Sequence, residues 1–194
     1  VVNKGKTVFI ADTTVHEYPS SKQLAEIAKS SARVVRLFGF DPKIAFLSHS
    51  TFGTPLTSRT KHIRDAVEIL KEMKVDFKFD GDMQPDVALN EEYKELYPFS
   101  DIVGKANVLI MPGQHSAAIS YKIMKALGGA KVIGPLLIGL GRAIEIAPLR
   151  SSTSDILNLA SVAAYSSGAV SYTHLRAHET REDLGWRRRR EKKN

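Results

Sequence analysis

Apolar and polar positions recur in two different rhythms along the chain, and each change of rhythm marks an element. Residues 7–11, Thr-Val-Phe-Ile-Ala, form a short β-branched and aromatic run between Gly5-Lys6 and Asp12-Thr13-Thr14, the pattern of a buried strand ending in a polar loop. Leu24, Ile27, Ser31, Val34, Val35 and Phe38 then fall on one face at helical spacing. Ser20, with Gln23 three residues later, supplies a capping box for that helix, and Gly39 supplies its stop. Residues 43–47 read as a second strand, 58–73 as a helix, 77–79 as a strand, and a short helix is expected near Glu91. Residues 107–111 are an apolar strand, and Pro112-Gly113 leads into a helix over 116–127 that Gly128-Gly129 ends. Residues 132–138 and 143–146 are further strand candidates. Residues 153–165 form a last amphipathic helix with Asp155 in its first turn, where the helix dipole favours a carboxylate.

Strand and helix alternate in units of the length that parallel strands with crossover helices need. The expected class is therefore α/β, a doubly wound, mainly parallel sheet with helices on both faces. In such sheets ligands bind beyond the carboxyl ends of the strands. Three strand exits carry small hydroxyl or amide residues, Asp12-Thr13-Thr14, Ser48-His49-Ser50-Thr51-Phe52-Gly53 and Pro112-Gly113-Gln114-His115-Ser116, and they are expected along one edge.

Composition changes this picture little. A chain of 194 residues, 43% hydrophobic and 25% charged, is ordinary for a globular protein. The absence of cysteine excludes a thiolate nucleophile, a cysteine zinc site and an iron–sulfur cluster. The apolar runs at 106–111 and 132–140 are too short for a transmembrane helix, so no membrane is expected and a cytoplasmic location is. No signal sequence and no methionine open the chain, and Val1 reads as an internal residue of something longer.

The net charge of +7 invites a nucleic-acid reading, but its distribution argues against one. Residues 171–194 hold eight Lys/Arg against four Asp/Glu, while the other 170 residues hold 20 against 17. That body lacks the excess of cationic groups that a phosphate backbone requires. The basic tail has no periodicity, and residues 171–182 resemble translated adapter read-through of the kind that contaminates sequence libraries. It is read as a non-native, disordered segment, and no nucleic-acid partner is expected.

Residues 48–53 offer hydroxyls, backbone N–H groups and a permissive glycine, the materials of an anion-binding nest, although serines at strand ends also serve as ordinary caps. His115 stands near a helix N-terminus, as a surface residue or as a ligand donor. Asp80, Asp82 and Asp86 crowd one strand exit, but their spacing lacks the further ligands of a calcium loop. They read as a turn with helix-capping aspartates, and no metal site is expected. Asp155 is either a general base in a cleft or a first-turn aspartate of the usual kind. Neither a G-x-S-x-G elbow nor a G-x-G-x-x-G turn at the first strand is present, which argues against a serine hydrolase and a dinucleotide site.

Residues 9–13 (Phe-Ile-Ala-Asp-Thr), 23–28 (Gln-Leu-Ala-Glu-Ile-Ala), 47–51 (Leu-Ser-His-Ser-Thr), 80–86 (Asp-Gly-Asp-Met-Gln-Pro-Asp), 105–112, Tyr121-Lys122 and 128–140 together resemble the phosphate acetyltransferase family, also written phosphate acetyl/butyryltransferase, over residues 4–168. The resemblance implies a two-domain α/β protein with an isocitrate dehydrogenase-like fold and its active cleft between domains. Residues 1–140 correspond to the second domain and 141–170 to a returning segment and final helix. It further implies acetyl transfer between coenzyme A and phosphate, with an aspartate before an isoleucine as base and a Ser-Arg pair six or seven residues upstream. Asp155 before Ile156 matches the aspartate. Pro148-Leu149 stands where the pair is expected, and Arg150 is displaced by one residue.

A leucine cannot replace a guanidinium that binds phosphate and stabilises transition-state charge. Pro148-Leu149, the Ser-Asp-Ile-Leu-Asn run at 154–158 and residues 115–120 are instead similar to the C-terminal domain of hybrid NADP-dependent malic enzymes. That resemblance implies a regulatory and oligomerising module, without transferase activity, that responds to acetyl-CoA. It places NADP and a divalent metal only in a missing malic domain, and implies missing N-terminal malic and first transferase-like domains and a homo-oligomer. Ser48, Ser50 and Thr51, near a phosphate or the pantetheine arm, with Lys122, Arg150 and Asp155 lining the cleft, are the candidate ligand-binding residues. An active phosphate acetyltransferase fragment, with Asp155 as base, is the alternative.

Overall fold

Lys43-Ile44-Ala45-Phe46-Leu47 shows how this sequence builds its sheet. In a strand successive side chains point to opposite faces, so an apolar run of this kind is stable only when both faces are covered. In the computed structural model, which describes residues 1–3, 5–140 and 143–166, Ile44 and Phe46 enter one hydrophobic cluster, and Ala45 and Leu47 another. Val108 and Ile110 sort with the first pair, Leu109 and Met111 with the second. The described residues divide into two compact units, Val1–Val132 and the residues from Ile133 onward.

In the first unit, β1 (Val2–Asn3) and β2 (Lys6–Thr7) form a small antiparallel pair. The main sheet contains β3 (Phe9–Ala11), β4 (Lys43–Leu47), β5 (Lys78–Met83) and β6 (Val108–Ile110) in the spatial order β3-β6-β4-β5, all parallel. Crossovers run through α1 (Ser21–Leu37) and α2 (Ser58–Glu72), whose buried residues Leu24, Ala28, Ile63 and Leu70 cover the Ile44–Phe46 face. The opposite face is covered by Val87 and Ala88 of α3 (Pro85–Leu89), by Ile102 and Val103, and by Ala117 of α4 (Gln114–Gly128). Each fully buried side chain of the size of Phe46, Ile44 or Leu24 contributes roughly 1.5–3 kcal/mol of burial free energy. Helices on both faces of a parallel sheet make the fold the doubly wound α/β arrangement that the sequence pattern predicts.

Local chemistry sets the boundaries. Ser20 caps α1, its hydroxyl accepting from the Gln23 N–H at 3.2 Å while the Gln23 side chain accepts from the Ser20 N–H at 2.8 Å. Gly39 adopts φ +80° just beyond the helix, a left-handed conformation that favours glycine. His62 joins the two crossover helices: its Nε2 donates to the Pro19 carbonyl at 2.8 Å, and its Nδ1 lies 2.9 Å from the Ser21 hydroxyl.

Two features differ from the sequence pattern. β5 runs past Phe79 through Asp80-Gly81-Asp82 to Met83, so these aspartates belong to a strand and not to a capping turn. The reason lies in its partner strand, because Phe46 pairs with Gly81 and a Cβ on Gly81 would stand 2.7 Å from the Phe46 Cβ. The second difference concerns residues 132–138 and 143–146, which form no strand among the described residues. An apolar run becomes a strand only when another offers it hydrogen bonds, and Gly134-Pro135 interrupts the first run with a glycine at φ +125° and a residue lacking an N–H.

Among the described residues, the second unit contains the helix α5 (Thr153–Ser166). The basic segment 171–194 lies outside the described residues.

Candidate functional site

Because all four main strands are parallel, the exits after Ala11, Leu47, Met83 and Ile110 share one edge of the sheet. Two of these exits are organised by aspartates. At the β3 exit, Asp12 Oδ1 accepts from the N–H groups of Thr14 at 2.8 Å and Val15 at 3.0 Å. Its Oδ2 accepts from the His16 N–H at 2.9 Å and lies 2.7 Å from His16 Nδ1. Burial by itself raises the Asp12 carboxyl, but these hydrogen bonds outweigh it and hold the group below the usual aspartate value. The carboxylate thus orients the imidazole through Nδ1. The neighbouring exit is joined here, since Gln114 Nε2 donates to the Thr14 carbonyl at 3.4 Å and its N–H to the Glu17 carbonyl at 3.3 Å.

At the β4 exit, residues 48–53 are held against the end of β5 by Asp82, which is fully buried. Asp82 Oδ1 accepts from the Gly53 N–H at 3.0 Å, and Oδ2 accepts from the Ser50 hydroxyl. The backbone adds Phe52 N–H to the Asp82 carbonyl at 2.7 Å and Ser48 N–H to the Met83 carbonyl at 3.0 Å. Thr51 Oγ1 accepts from the Gln84 N–H at 3.3 Å. Gly53, at φ +83°, lies under Arg64, whose Nη1 would stand 2.4 Å from an added Cβ.

The predicted site residues fall into three places. Ser48, Ser50 and Thr51 come together in this loop, where Ser50 and Thr51 are buried and bonded to β5 and the segment after it. Their hydroxyls shape the loop, while Ser48 and His49 remain on its accessible side. Lys122 is exposed on α4, with Nζ 6.0 Å from the Tyr121 ring centroid. His115, at the start of α4, lies 3.8 Å from Glu17. Arg150 and Asp155 belong to the second unit.

There, Arg150 is exposed in a turn that Ser151 closes through its N–H and hydroxyl onto the Pro148 carbonyl, at 3.0 and 2.7 Å. Asp155 sits in the first turn of α5, with Oδ2 accepting from the Ser152 N–H at 3.0 Å and hydroxyl at 2.8 Å. The Asp155 N–H donates back to Ser152 Oγ at 3.2 Å, a reciprocal capping pair. In the same unit Glu145 accepts from the Leu137 N–H at 3.1 Å. Burial pushes its carboxyl above the usual glutamate value, against the lowering effect of that bond.

Sequence reasoning missed the roles of Asp82 and of the Asp12–His16 pair. The i, i+4 spacing of Asp12 and His16 was a usable signal; nothing local marks Asp82. Among the described residues, no group of three or more His, Asp or Glu side chains could hold a metal ion, and no helix is long and apolar enough to cross a membrane.

Comparison with known proteins places this geometry. The model of the phosphate acetyl/butaryl transferase family matches residues 1–164. The chain is 48% identical over 165 residues to an NADP-dependent malic enzyme of Rhizobium meliloti (strain 1021), covering 85% of this chain and 22% of that protein. It is 34% identical over 166 residues to the phosphate acetyltransferase of Bacillus subtilis (strain 168), covering 84% of this chain and 51% of that one. Among solved structures, the EutD phosphotransacetylase from Staphylococcus aureus superposes with a TM-score of 0.80 at 30% identity, covering 86% of this chain and 52% of that chain. The chain thus spans about half the length of the phosphate acetyltransferase and less than a quarter of the malic enzyme. With the family model matching residues 1–164 and a phosphotransacetylase structure sharing the fold, the chain belongs to the phosphate acetyl/butaryl transferase family.

Proposed function

We propose that this chain is the transferase-like part of a longer protein of the NADP-dependent (oxaloacetate-decarboxylating) malic enzyme type, where it binds acetyl-CoA as an effector and does not transfer acetyl groups. One observation carries the reading. Leu149, which by family resemblance stands in the place of the phosphate-binding arginine, is fully exposed to solvent. A hydrocarbon side chain offers the anionic oxygens of acetyl phosphate neither charge nor hydrogen bond. The Asp155 carboxylate is shared with the Ser152 cap, which suits a residue that shapes a binding surface. The 48% identity to a malic enzyme supports the same reading.

In this account NADP and a divalent metal act in a malic domain elsewhere in the longer protein. Acetyl-CoA changes activity there only by binding two states of the protein with different affinity. Homo-oligomerisation belongs to the proposal as well, supported by Ile119, Ile123 and Leu127, which lie exposed at four-residue intervals on α4. Calorimetric titration of the full-length protein with acetyl-CoA tests the binding claim. Saturable binding is the expected result, and an affinity no better than that for inorganic phosphate would refute the effector role.

A second reading has one observation in its favour. Arg150 is exposed one residue from the expected position, and Asp155 is in place. A true phosphate acetyltransferase would use these two groups as cation and base. Acetyl-CoA formation from acetyl phosphate and coenzyme A, abolished by Asp155→Asn, would establish that reading.

A further inference from the structure

The Asp12–His16 pair at the β3 exit does more than close a loop. Closing it needs only backbone bonds, and Asp12 supplies them by accepting from the N–H groups of Thr14, Val15 and His16. The same carboxylate also holds the imidazole, with Oδ2 2.7 Å from His16 Nδ1. A ring nitrogen facing a carboxylate at that distance carries the proton, so the neutral ring keeps its lone pair on Nε2. One tautomer and one ring orientation are selected, the arrangement in which a carboxylate prepares an imidazole to accept a proton.

Nε2 is also available. It has no hydrogen-bond partner among the described residues. The one side-chain nitrogen or oxygen there that is both unpartnered and sealed from solvent is Asn158 Nδ2, so His16 Nε2 is open. The imidazole is 35% exposed and the carboxylate behind it 14%, which leaves the histidine as the approachable side of the pair. The loop that carries it is fixed to the start of α4 through Gln114, bonded to the Glu17 and Thr14 carbonyls at 3.3 and 3.4 Å. A Cβ on Gly113 would stand 2.7 Å from the Glu17 oxygen, a close approach that only glycine allows. The pair therefore sits on a firm mount at the carboxyl edge of the sheet, where folds of this class bind ligands.

The charges around it narrow the ligand group. With the Asp12 carboxylate behind the ring and Glu17 next in the chain, an anionic oxygen is repelled. A neutral O–H or S–H fits, because it donates to Nε2. Coenzyme A carries both, a hydroxyl on its pantetheine arm and a terminal thiol.

We propose that His16 is a ligand-binding residue whose Nε2 accepts a hydrogen bond from the pantetheine hydroxyl or the thiol of coenzyme A, with Asp12 as its positioning residue. The assignment rests on the acetyl-CoA reading given above.

The test uses the full-length protein and two variants, titrated with coenzyme A and with acetyl-CoA. His16→Phe keeps a ring and removes the acceptor, and its affinity for coenzyme A is expected to fall roughly 2- to 10-fold, the worth of one hydrogen bond. Equal losses for both ligands assign the donor as the hydroxyl, and a loss for coenzyme A alone assigns it as the thiol, which acetyl-CoA lacks. His16→Gln, whose amide oxygen takes the place of Nε2, is expected to recover part of the loss, which a merely structural role would not give. Carbethoxylation of wild-type protein by diethyl pyrocarbonate, mapped by mass spectrometry, keeps the proposal falsifiable if the variants do not fold. His16 is expected to react, and saturating coenzyme A to slow it several-fold. Wild-type protein that binds coenzyme A, with a folded His16→Phe variant that binds both ligands equally well or with His16 carbethoxylation that the ligand does not slow, overturns the role of His16 alone. Wild-type protein that binds neither ligand overturns the effector reading and this assignment with it.

Discussion

Replacing Asp82 by alanine tests whether one buried carboxylate holds the β4 exit loop to the sheet. Its Oδ1 receives the Gly53 N–H at 3.0 Å and its Oδ2 the Ser50 hydroxyl, while the Asp82 backbone carbonyl separately holds the Phe52 N–H at 2.7 Å. Truncation spares the backbone bond and strands two donors, each costing about 1–3 kcal/mol if it stays buried and unpaired. Two effects offset part of that sum. Ser50 can turn its hydroxyl to Ser48 Oγ, 3.1 Å away, and removing the carboxylate also removes the cost of burying it. The net destabilisation is therefore about 2–4 kcal/mol, which at a urea dependence of about 2 kcal/mol/M moves the midpoint by about 1–2 M. Equilibrium urea unfolding followed by circular dichroism reads this directly, provided the slope is unchanged. Asp82→Asn keeps the shape and one carbonyl oxygen for Gly53, and should recover about half of the loss. An alanine variant within about 0.5 kcal/mol of wild type, or an asparagine variant as damaged as the alanine one, would refute the reasoning.

Other perturbations test other joints. Gly104 has φ +72°, and an added Cβ would stand 2.4 Å from the Glu91 Cα and 2.6 Å from the Glu91 nitrogen, so Gly104→Ala should cost about 3 kcal/mol or more in the same urea assay. Ser20→Ala removes the acceptor for the Gln23 N–H and should cost about 1 kcal/mol, read as a lower thermal midpoint. The Asp12 carboxyl is held below its usual value by its hydrogen bonds despite burial, which acts to raise it. Its stabilising contribution is therefore present above the unfolded aspartate value of about 3.9 and is lost as pH falls through the folded value. Acid titration of stability should show a smaller loss over that range in Asp12→Asn than in wild type, and identical curves would contradict it.

Much of this fold is legible in local sequence, and the boundary of legibility has a physical cause. Ser20 and Gln23 announce α1 because a capping box is made within four residues, and Lys43–Leu47 announces β4 because five apolar or amphipathic residues need cover on both faces. β5 is read short because Asp80-Gly81-Asp82 has turn composition. The strand continues only because Gly81 fits against Phe46 and because a loop some thirty residues earlier supplies donors to Asp82. Both causes are non-local.

The same division holds at the candidate site. Ser48, Ser50 and Thr51 are visible as a hydroxyl-rich strand exit, but their commitment to the end of β5 is not. Residues 132–138 look like a strand by composition and lack one for want of a pairing neighbour among the described residues.

The central claim is that a transferase fold has kept its ligand edge and lost its phosphate chemistry at Leu149. Acetyl transfer from acetyl phosphate to coenzyme A by the full-length protein, followed as thioester absorbance, tests it most directly. The account predicts no turnover above the uncatalysed rate, with acetyl-CoA still bound. Turnover that falls on Asp155→Asn or Arg150→Ala would contradict it and make the protein a working phosphate acetyltransferase.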